Sequence, residues 1–205
     1  MIDFCSAVLE AWIKENPDET VYRVPDGFMR IDTLNSETFC KSKIKKIILP
    51  PSISWCGSVS MSVPYHFDNF TLDELEFEDG GTELTIYASA FQMADIRKII
   101  LPKTTPIYIY PYSFCSAKIE EITIPENTII KDGKEIFWCC RKLKKCSIEC
   151  KTPPLVRTTR MFEGCTSLSE IKLSEGFKIG TSTFNDCTSL DLKTIKRRKT
   201  RGDKK

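Results

Sequence analysis

Histidine is almost absent from this chain: His66 is the only one among 205 residues. That excludes histidine-based zinc sites and most histidine general bases, and no recognisable nucleophile motif surrounds any cysteine. His66, next to a repeat anchor, reads as a surface or packing residue. Glycine is scarce, with nine in all. No glycine-rich phosphate loop exists, and Gly80-Gly81 reads as a turn. No apolar run reaches the roughly 18 residues that a membrane-spanning helix needs, so none is expected. The opening MIDFCSAVLEAWIKENP has no basic segment ahead of its apolar residues, and Glu10, Lys14 and Glu15 interrupt them. No export signal is expected from that pattern. Nothing here predicts an enzyme, a cofactor or a metal.

Cysteine, by contrast, is plentiful at ten. Without an export signal the default compartment is reducing, so free thiols and a cytoplasmic location are expected. Cys139, Cys140, Cys146 and Cys150 lie close in sequence. Zinc is set aside for them, because structural zinc sites use C-x-x-C pairs and two of the four fall at repeat positions. A disulfide within this group would require export. The net charge of +2 conceals an asymmetry: Lys193–Lys205 holds eight Lys/Arg and one Asp, against a mildly acidic remainder.

What dominates the sequence is a repeat. FEGCTSLSEIKL begins at Phe162, and related stretches begin at Phe39, Phe67, Phe91, Phe114, Phe137 and Phe184. The steps are 28, 24, 23, 23, 25 and 22 residues, within the period of leucine-rich-repeat solenoids. In this template the Phe and the following Ile or Leu point into a shared core. The Ile-x-Leu or Ile-x-Ile that follows is a short period-two strand. One repeat cannot bury its apolar face alone, so neighbours stack their strands into a parallel sheet. Cys140, Cys165 and Cys187 share the position three after Phe and read as a column of small buried residues at a turn. Pro50, Pro102 and Pro125 end the ladder after a strand. Leu34, Ile86, Ile109 and Ile179, five before the Phe, form a second inward column.

The theme Phe-x-x-Cys-x-x-Leu-x-x-Ile-x-Ile-Pro resembles the BspA-like leucine-rich repeat family over residues 20–195 and fits best at Phe162–Leu173. Phe39, Phe91 and Phe114 have one residue fewer before the Ile, and the Phe67 repeat lacks the Cys and follows the insertion WCGSVSMSVPYHF. The expected fold is an α/β repeat solenoid dominated by β: a leucine-rich-repeat array of short parallel strands with an N-terminal helical cap. Residues 1–19 form the cap, with Ile2, Cys5, Val8, Leu9, Trp12 and Ile13 on one helical face and Pro17 ending the helix. Tyr22–Val24 is the first strand. Residues 20–192 form about seven to eight repeats, and residues 193–205 a basic, disordered tail. The resemblance implies binding to proteins, commonly by surface or secreted family members, and offers no catalytic residues.

Two rows of residues bear on binding. The first reads Lys45-Lys46, Asp73-Glu74, Arg97-Lys98, Glu120-Glu121, Lys144-Lys145, Ser169-Glu170. Its sign alternates from strand to strand, so it is expected to neutralise itself and to fix the register, since slipping one repeat stacks like charges. The second row, Ile48, Glu76, Ile100, Thr123, Ser147 and Lys172, is the candidate surface for a protein partner. The alternative for its isoleucines is a core role. Tyr108, Tyr110 and Tyr112 are expected to face outward from PIYIYPYSF and join that candidate surface, because tyrosine buries area at low entropy cost. The insertion before Phe67 is another candidate loop. A nucleic-acid alternative rests on the tail residues Lys196, Arg197, Arg198, Lys199 and Arg201, which would contact phosphates. No aromatics interleave them, so stacking on single strands is not suggested.

Overall fold

A computed structural model describes residues 3–31, 37–57, 67, 71–150, 158–175 and 177–198. The chain winds as a solenoid with two parallel sheets. The six-stranded sheet holds β1 (Asp3–Phe4), β3 (Arg30–Ile31), β5 (Trp55–Cys56), β7 (Leu84–Ile86), β9 (Ile107–Ile109) and β11 (Thr128–Ile130). The eight-stranded sheet holds β2 (Val21–Arg23), β4 (Lys46–Leu49), β6 (Thr71–Phe77), β8 (Asp95–Ile100), β10 (Glu121–Ile124), β12 (Lys145–Ile148), β13 (Glu170–Ser174) and β14 (Lys196–Arg198). Its register puts the second apolar anchor of each repeat in one line: Ile47 opposite Leu75, Leu75 opposite Ile99, Ile99 opposite Ile122, Ile122 opposite Cys146, and Cys146 opposite Ile171. The repeat template therefore identifies β4, β6, β8, β10, β12 and β13 of the larger sheet. The short strands of the smaller sheet lie on the return segments.

The phenylalanines form the spine. Phe67, Phe91, Phe114, Phe137, Phe162 and Phe184 stack in sequence, with centroids 4.9–5.6 Å apart. From Phe91 onward the rings are within about 11° of parallel, the offset-stack geometry that aromatic quadrupoles favour at this distance. Three residues later comes the small-residue column Ala94, Ala117, Cys140, Cys165 and Cys187, all buried. Its cysteines do more than fit. The Cys140, Cys165 and Cys187 thiols donate to the carbonyls of Phe114, Phe137 and Phe162, one repeat back, at 2.9–3.0 Å. Each adds a second donor to a carbonyl that already accepts the N–H of the residue three further on, Ala117, Cys140 and Cys165 respectively.

The turns around the Phe are built from left-handed backbone. Two residues before it, Ser89, Tyr112, Glu135, Arg160 and Ser182 have φ of 54–61°. Two residues after it, Met93, Ser116, Cys139 and Asp186 have φ of 56–60°, and Gly164 has 76°. This geometry aims successive N–H groups at the next repeat. Phe114 N–H donates to Ile136, Ser116 to Trp138, Phe137 to Met161 and Cys139 to Glu163. Backbone hydrogen bonding thus continues between repeats through segments that are not strands.

The N-terminal cap differs in detail from expectation. The helix α1 spans Ser6–Glu15, buries Leu9 and Ile13, and packs Val8 and Trp12 on the core. Trp12 and Tyr22 have ring centroids 4.5 Å apart. Cys5 precedes the helix as its N-cap, and Asp3–Phe4 is a strand paired to β3. The helix stops ahead of Pro17, with Asn16 as its C-cap: the Asn16 backbone N–H and side-chain amide both donate to the Trp12 carbonyl at 2.9 Å. Ile2 lies outside the described residues. A single turn, α2 (Glu37–Cys40), precedes the Phe39 repeat's strand.

The return column is also corrected. Ile86 and Ile109 are buried as expected, but Ile179 is exposed. Phe177 is buried instead, as is Ile130, which pairs with Ile109. In those two coils the inward residue sits seven, not five, before the anchor Phe. The turn between return strand and spine is longer there, so sequence distance from the Phe does not preserve the register. Leu34 lies outside the described residues.

Candidate interaction surface

The solvent side of the eight-stranded sheet carries the alternating charges as a chain of ion pairs. Lys46 Nζ reaches Glu74 at 2.7 Å and Glu76 at 2.5 Å. Arg97 lies 3.5 Å from Asp73 and 3.2 Å from Glu120, and Lys144 lies 2.8 Å from Glu120. Lys98 is shared by Glu74 and Glu121 at 3.6 and 3.8 Å. Lys145 and Lys172 share Glu170 at 3.8 and 3.6 Å. Each sign is flanked by the other because adjacent strands are only about 4.8 Å apart.

The row shifts the titration of its members. Lys46, and secondarily Lys98, hold the Glu74 carboxyl below the usual carboxylate range. Lys144 and Arg97 do the same for Glu120. Glu74 and Glu76 push Lys46 up. Depressed carboxyl pKa values stabilise the fold above the ordinary value, about 4.3, and that contribution disappears as pH falls through the folded pKa. The raised Lys46 contributes below its ordinary value and loses its contribution as pH rises through the folded one. Melting temperature measured across pH is therefore expected to be flat from about pH 6 to 9 and to fall below about pH 4.5. Salt near 1 M should flatten the acid limb, because it cuts the screening length to about 3 Å.

Beside this row runs the second one. Ile48, Glu76 and Ile100 are aligned by register, as are Thr123, Ser147 and Lys172. Ile48 and Ile100 are half-buried and stand on the solvent side, in line with polar residues. The row does not form one uniform site. Glu76 is engaged by Lys46 and belongs to the ion-pair chain. Ile100, Thr123, Ser147 and Lys172 line a groove of about 630 Å³, which Ile48 and Glu76 do not reach. The far rim comes from Lys103, Pro125, Glu126 and Glu149. Sequence reasoning missed that rim. For Lys103 and Glu126 its signal was the charged residue just past Pro102 and Pro125, in PKTT and PENT.

The tyrosines belong elsewhere. Tyr108 is in β9 of the six-stranded sheet, between buried Ile107 and Ile109. Lys131 Nζ sits 4.5 Å over its ring and Lys134 Nζ 5.4 Å over that of Tyr112. Tyr110 stacks on Tyr87 at 5.4 Å. All three are half-buried, and they do not line the groove. They form a separate patch whose ring faces are already in contact with a lysine or a neighbouring tyrosine.

The basic segment is corrected in part. Leu192–Thr194 forms a 3-10 turn, and Lys196, Arg197 and Arg198 form β14, paired with Lys172, Leu173 and Ser174. The array thus runs on past the expected boundary at 192. Backbone pairing to β13 holds these residues where composition alone suggested a disordered tail. Lys199 and Arg201 lie outside the described residues, as do His66 and most of the insertion before Phe67.

Among the described residues, no three His, Cys, Asp or Glu residues come together as a metal site. Cys140 bonds to a Phe carbonyl, Cys146 lies in β12, and both are buried, whereas Cys139 is partly exposed. Gly80 and Gly81 donate their N–H groups to the Thr105 hydroxyl, both at 3.2 Å. Burial pushes the Cys140, Cys146 and Cys56 thiols up, and Cys187 up to about 12. Because the thiolate is the reactive form, alkylation at neutral pH should reach exposed Cys40 first and half-exposed Cys5 and Cys139 more slowly. The seven buried cysteines should label only on unfolding. Intact-mass counting of adducts checks this, and rapid addition to all ten would contradict the buried column.

The coils, the phenylalanine spine and the stacked parallel strands define a leucine-rich-repeat solenoid. Residues 84–201 match the family of the BspA type Leucine rich repeat region in six copies. That is more than half of the chain, and the chain belongs to this family. The match continues into the basic segment, in agreement with β14. No curated protein and no solved structure matches the chain. No helix among the described residues is long and apolar enough to cross a membrane.

Proposed function

We propose that this chain is a non-catalytic protein-interaction module, and that the groove on the eight-stranded sheet receives a protein partner. The observation that supports this most is the division of labour on that face. The charged row pairs within itself, and beside it Ile100, Thr123 and Ser147 line an open groove of about 630 Å³ that Lys98, Glu121, Lys145 and Glu170 of the charged row also border. That size falls within the range of ligand-receiving clefts, roughly 300–1,000 Å³. Cys140, Cys165 and Cys187 use their thiol protons in backbone hydrogen bonds, which favours reduced cysteines and a reducing, cytoplasmic setting. A surface or secreted location is the family-based alternative.

The test is capture from source lysate by the full chain and by Ile100→Arg/Thr123→Arg, each with and without nuclease. A discrete protein kept by the wild type, lost from the groove variant and indifferent to nuclease is the expected result. Capture abolished by nuclease and unaffected by the groove variant would move the function to nucleic-acid contact through Lys196, Arg197, Arg198, Lys199 and Arg201.

A further inference from the structure

Hydrogen bonding between coils runs in one direction along the phenylalanine edge. In the coils of Phe114, Phe137 and Phe162, the N–H groups two before the Phe, at the Phe and two after it donate forward to the next coil. Glu135, Phe137 and Cys139 donate to Thr159, Met161 and Glu163, and Arg160, Phe162 and Gly164 donate to Thr181, Thr183 and Asn185. The coil of Phe184 holds the same positions with nothing in front of it. Ser182 and Asp186 have the same left-handed backbone, with φ of 57°. The N–H groups of Ser182, Phe184 and Asp186 have no acceptor among the described residues. This end of the array thus presents a row of donors, while its carbonyls are turned back onto the preceding coil.

The apolar side of the same coil is also incomplete. Phe184, Leu190 and Ile195 are half-buried, whereas Phe162, Leu168 and Ile171 of the coil before are only 0–2% exposed. The Phe184 ring stacks on Phe162 on one face, and no ring meets its other face among the described residues. Strand β14 is the end strand of its sheet. Residues 199–205 contain no hydrophobic residue that could complete the layer. An open repeat end needs a cover, because each coil buries its core only against a neighbour.

We propose that this end is a stacking surface for a coil-like segment of another polypeptide, which lays an aromatic side chain on the open face of Phe184 and offers backbone carbonyls to Ser182, Phe184 and Asp186. It is separate from the groove and does not rest on it. The donors select the occupant. A purely apolar cover would bury these N–H groups without partners, which is costly. A second copy that stacked Phe184 on Phe184 would bring the same donors to the same edge, because a two-fold interface apposes identical patches. A copy stacked head to tail would bring its N-terminal end, where α1 lies over the core through Leu9 and Ile13. What fits is a segment with carbonyls at every second residue, the pattern that Thr159, Met161 and Glu163 offer the coil before them. The strand that follows such a turn can add to the free edge of β14 by main-chain pairing.

The experiment uses the full chain and a fluorescent peptide with the sequence Thr159–Leu173 carrying Cys165→Ala, since Ala94 and Ala117 hold that repeat position in other coils. Its two basic and two acidic residues cancel, which removes adsorption by net charge. Anisotropy should show saturable binding that weakens about tenfold in Phe184→Asp, as loss of an aromatic anchor does. The same weakening is expected for a peptide carrying Phe162→Asp. Binding should persist in the groove variant Ile100→Arg/Thr123→Arg, with thermal melts confirming that each variant folds. In the wild type, amide hydrogen exchange at Ser182, Phe184 and Asp186 should slow when the peptide is bound. Absence of saturable binding to the folded wild type overturns the inference. So does unchanged exchange at those amides under saturating peptide, or equal binding of the Phe162→Asp peptide. Binding lost in the groove variant and kept in Phe184→Asp would place the peptide in the groove instead. Self-association of the wild type by sedimentation, abolished in Phe184→Asp, would replace the foreign segment with a second copy.

Discussion

Phe114→Ala is expected to destabilise the chain by about 3–5 kcal/mol, the usual cost of truncating a buried Phe. The ring is fully buried and stacks on both sides, on Phe91 at 5.3 Å and on Phe137 at 5.2 Å. Removing it leaves a cavity at two repeat interfaces, and in a solenoid each interface is a nearest-neighbour contribution to stability. For a chain of this length the melting temperature should fall by roughly 10 °C. Phe184 supplies the internal control. It is only partly buried, and its ring stacks on Phe162 at 5.6 Å. Phe184→Ala should cost less than half as much. Thermal melts of the two variants decide the matter. Equal losses would mean that the spine is not a cooperative stack.

Gly164→Val is the second large effect, with an expected loss of about 2–3 kcal/mol. Gly164 has φ of 76°, a backbone that a β-branched residue resists. A Cβ there would also meet the Cys139 sulfur at 2.9 Å and the Cys139 Cα at 3.5 Å. Cys139 is the equivalent residue one repeat back, so the strain falls on a neighbouring left-handed turn. Met93 occupies the same repeat position with φ of 60° and an exposed side chain. Met93→Gly should change the melting temperature little, because relief of the left-handed cost offsets the added freedom of the unfolded chain. If Gly164→Val melts like the wild type, the turn column is not conformationally restrictive.

Much of this architecture is legible residue by residue. The seven Phe anchors, the Ile-x-Leu strands and the alternating charges are local patterns repeated at a near-constant step, and parallel stacking turns equal sequence offsets into spatial columns. The ion pairs of Lys46, Arg97, Lys98 and Lys144 follow directly from that. The tyrosines show where such reasoning stops. Ile107 and Ile109 correctly place Tyr108 outward, but nothing local says that its strand belongs to a different sheet from Ile100. The basic run misleads for a related reason. Lys, Arg and few apolar residues describe a solvated tail, yet β13 offers a free edge, and pairing there depends on backbone groups that composition does not register.

What the sequence by itself determined is the repeat: which residues face the core, which strands neighbour one another, and how their charges alternate. A period-two strand inside a fixed repeat leaves no other way to bury Phe, Ile and Leu. What only the tertiary structure decided is everything that depends on the path between anchors. That includes the second sheet, the left-handed turns that pass hydrogen bonds from coil to coil, the thiols bonded to Phe carbonyls, the shift that exposes Ile179 and buries Phe177, and the groove in which Ile100 meets Thr123, Ser147 and Lys172. These features arise from contacts between coils, and a change of two residues in the length of one turn moves them without altering the repeat.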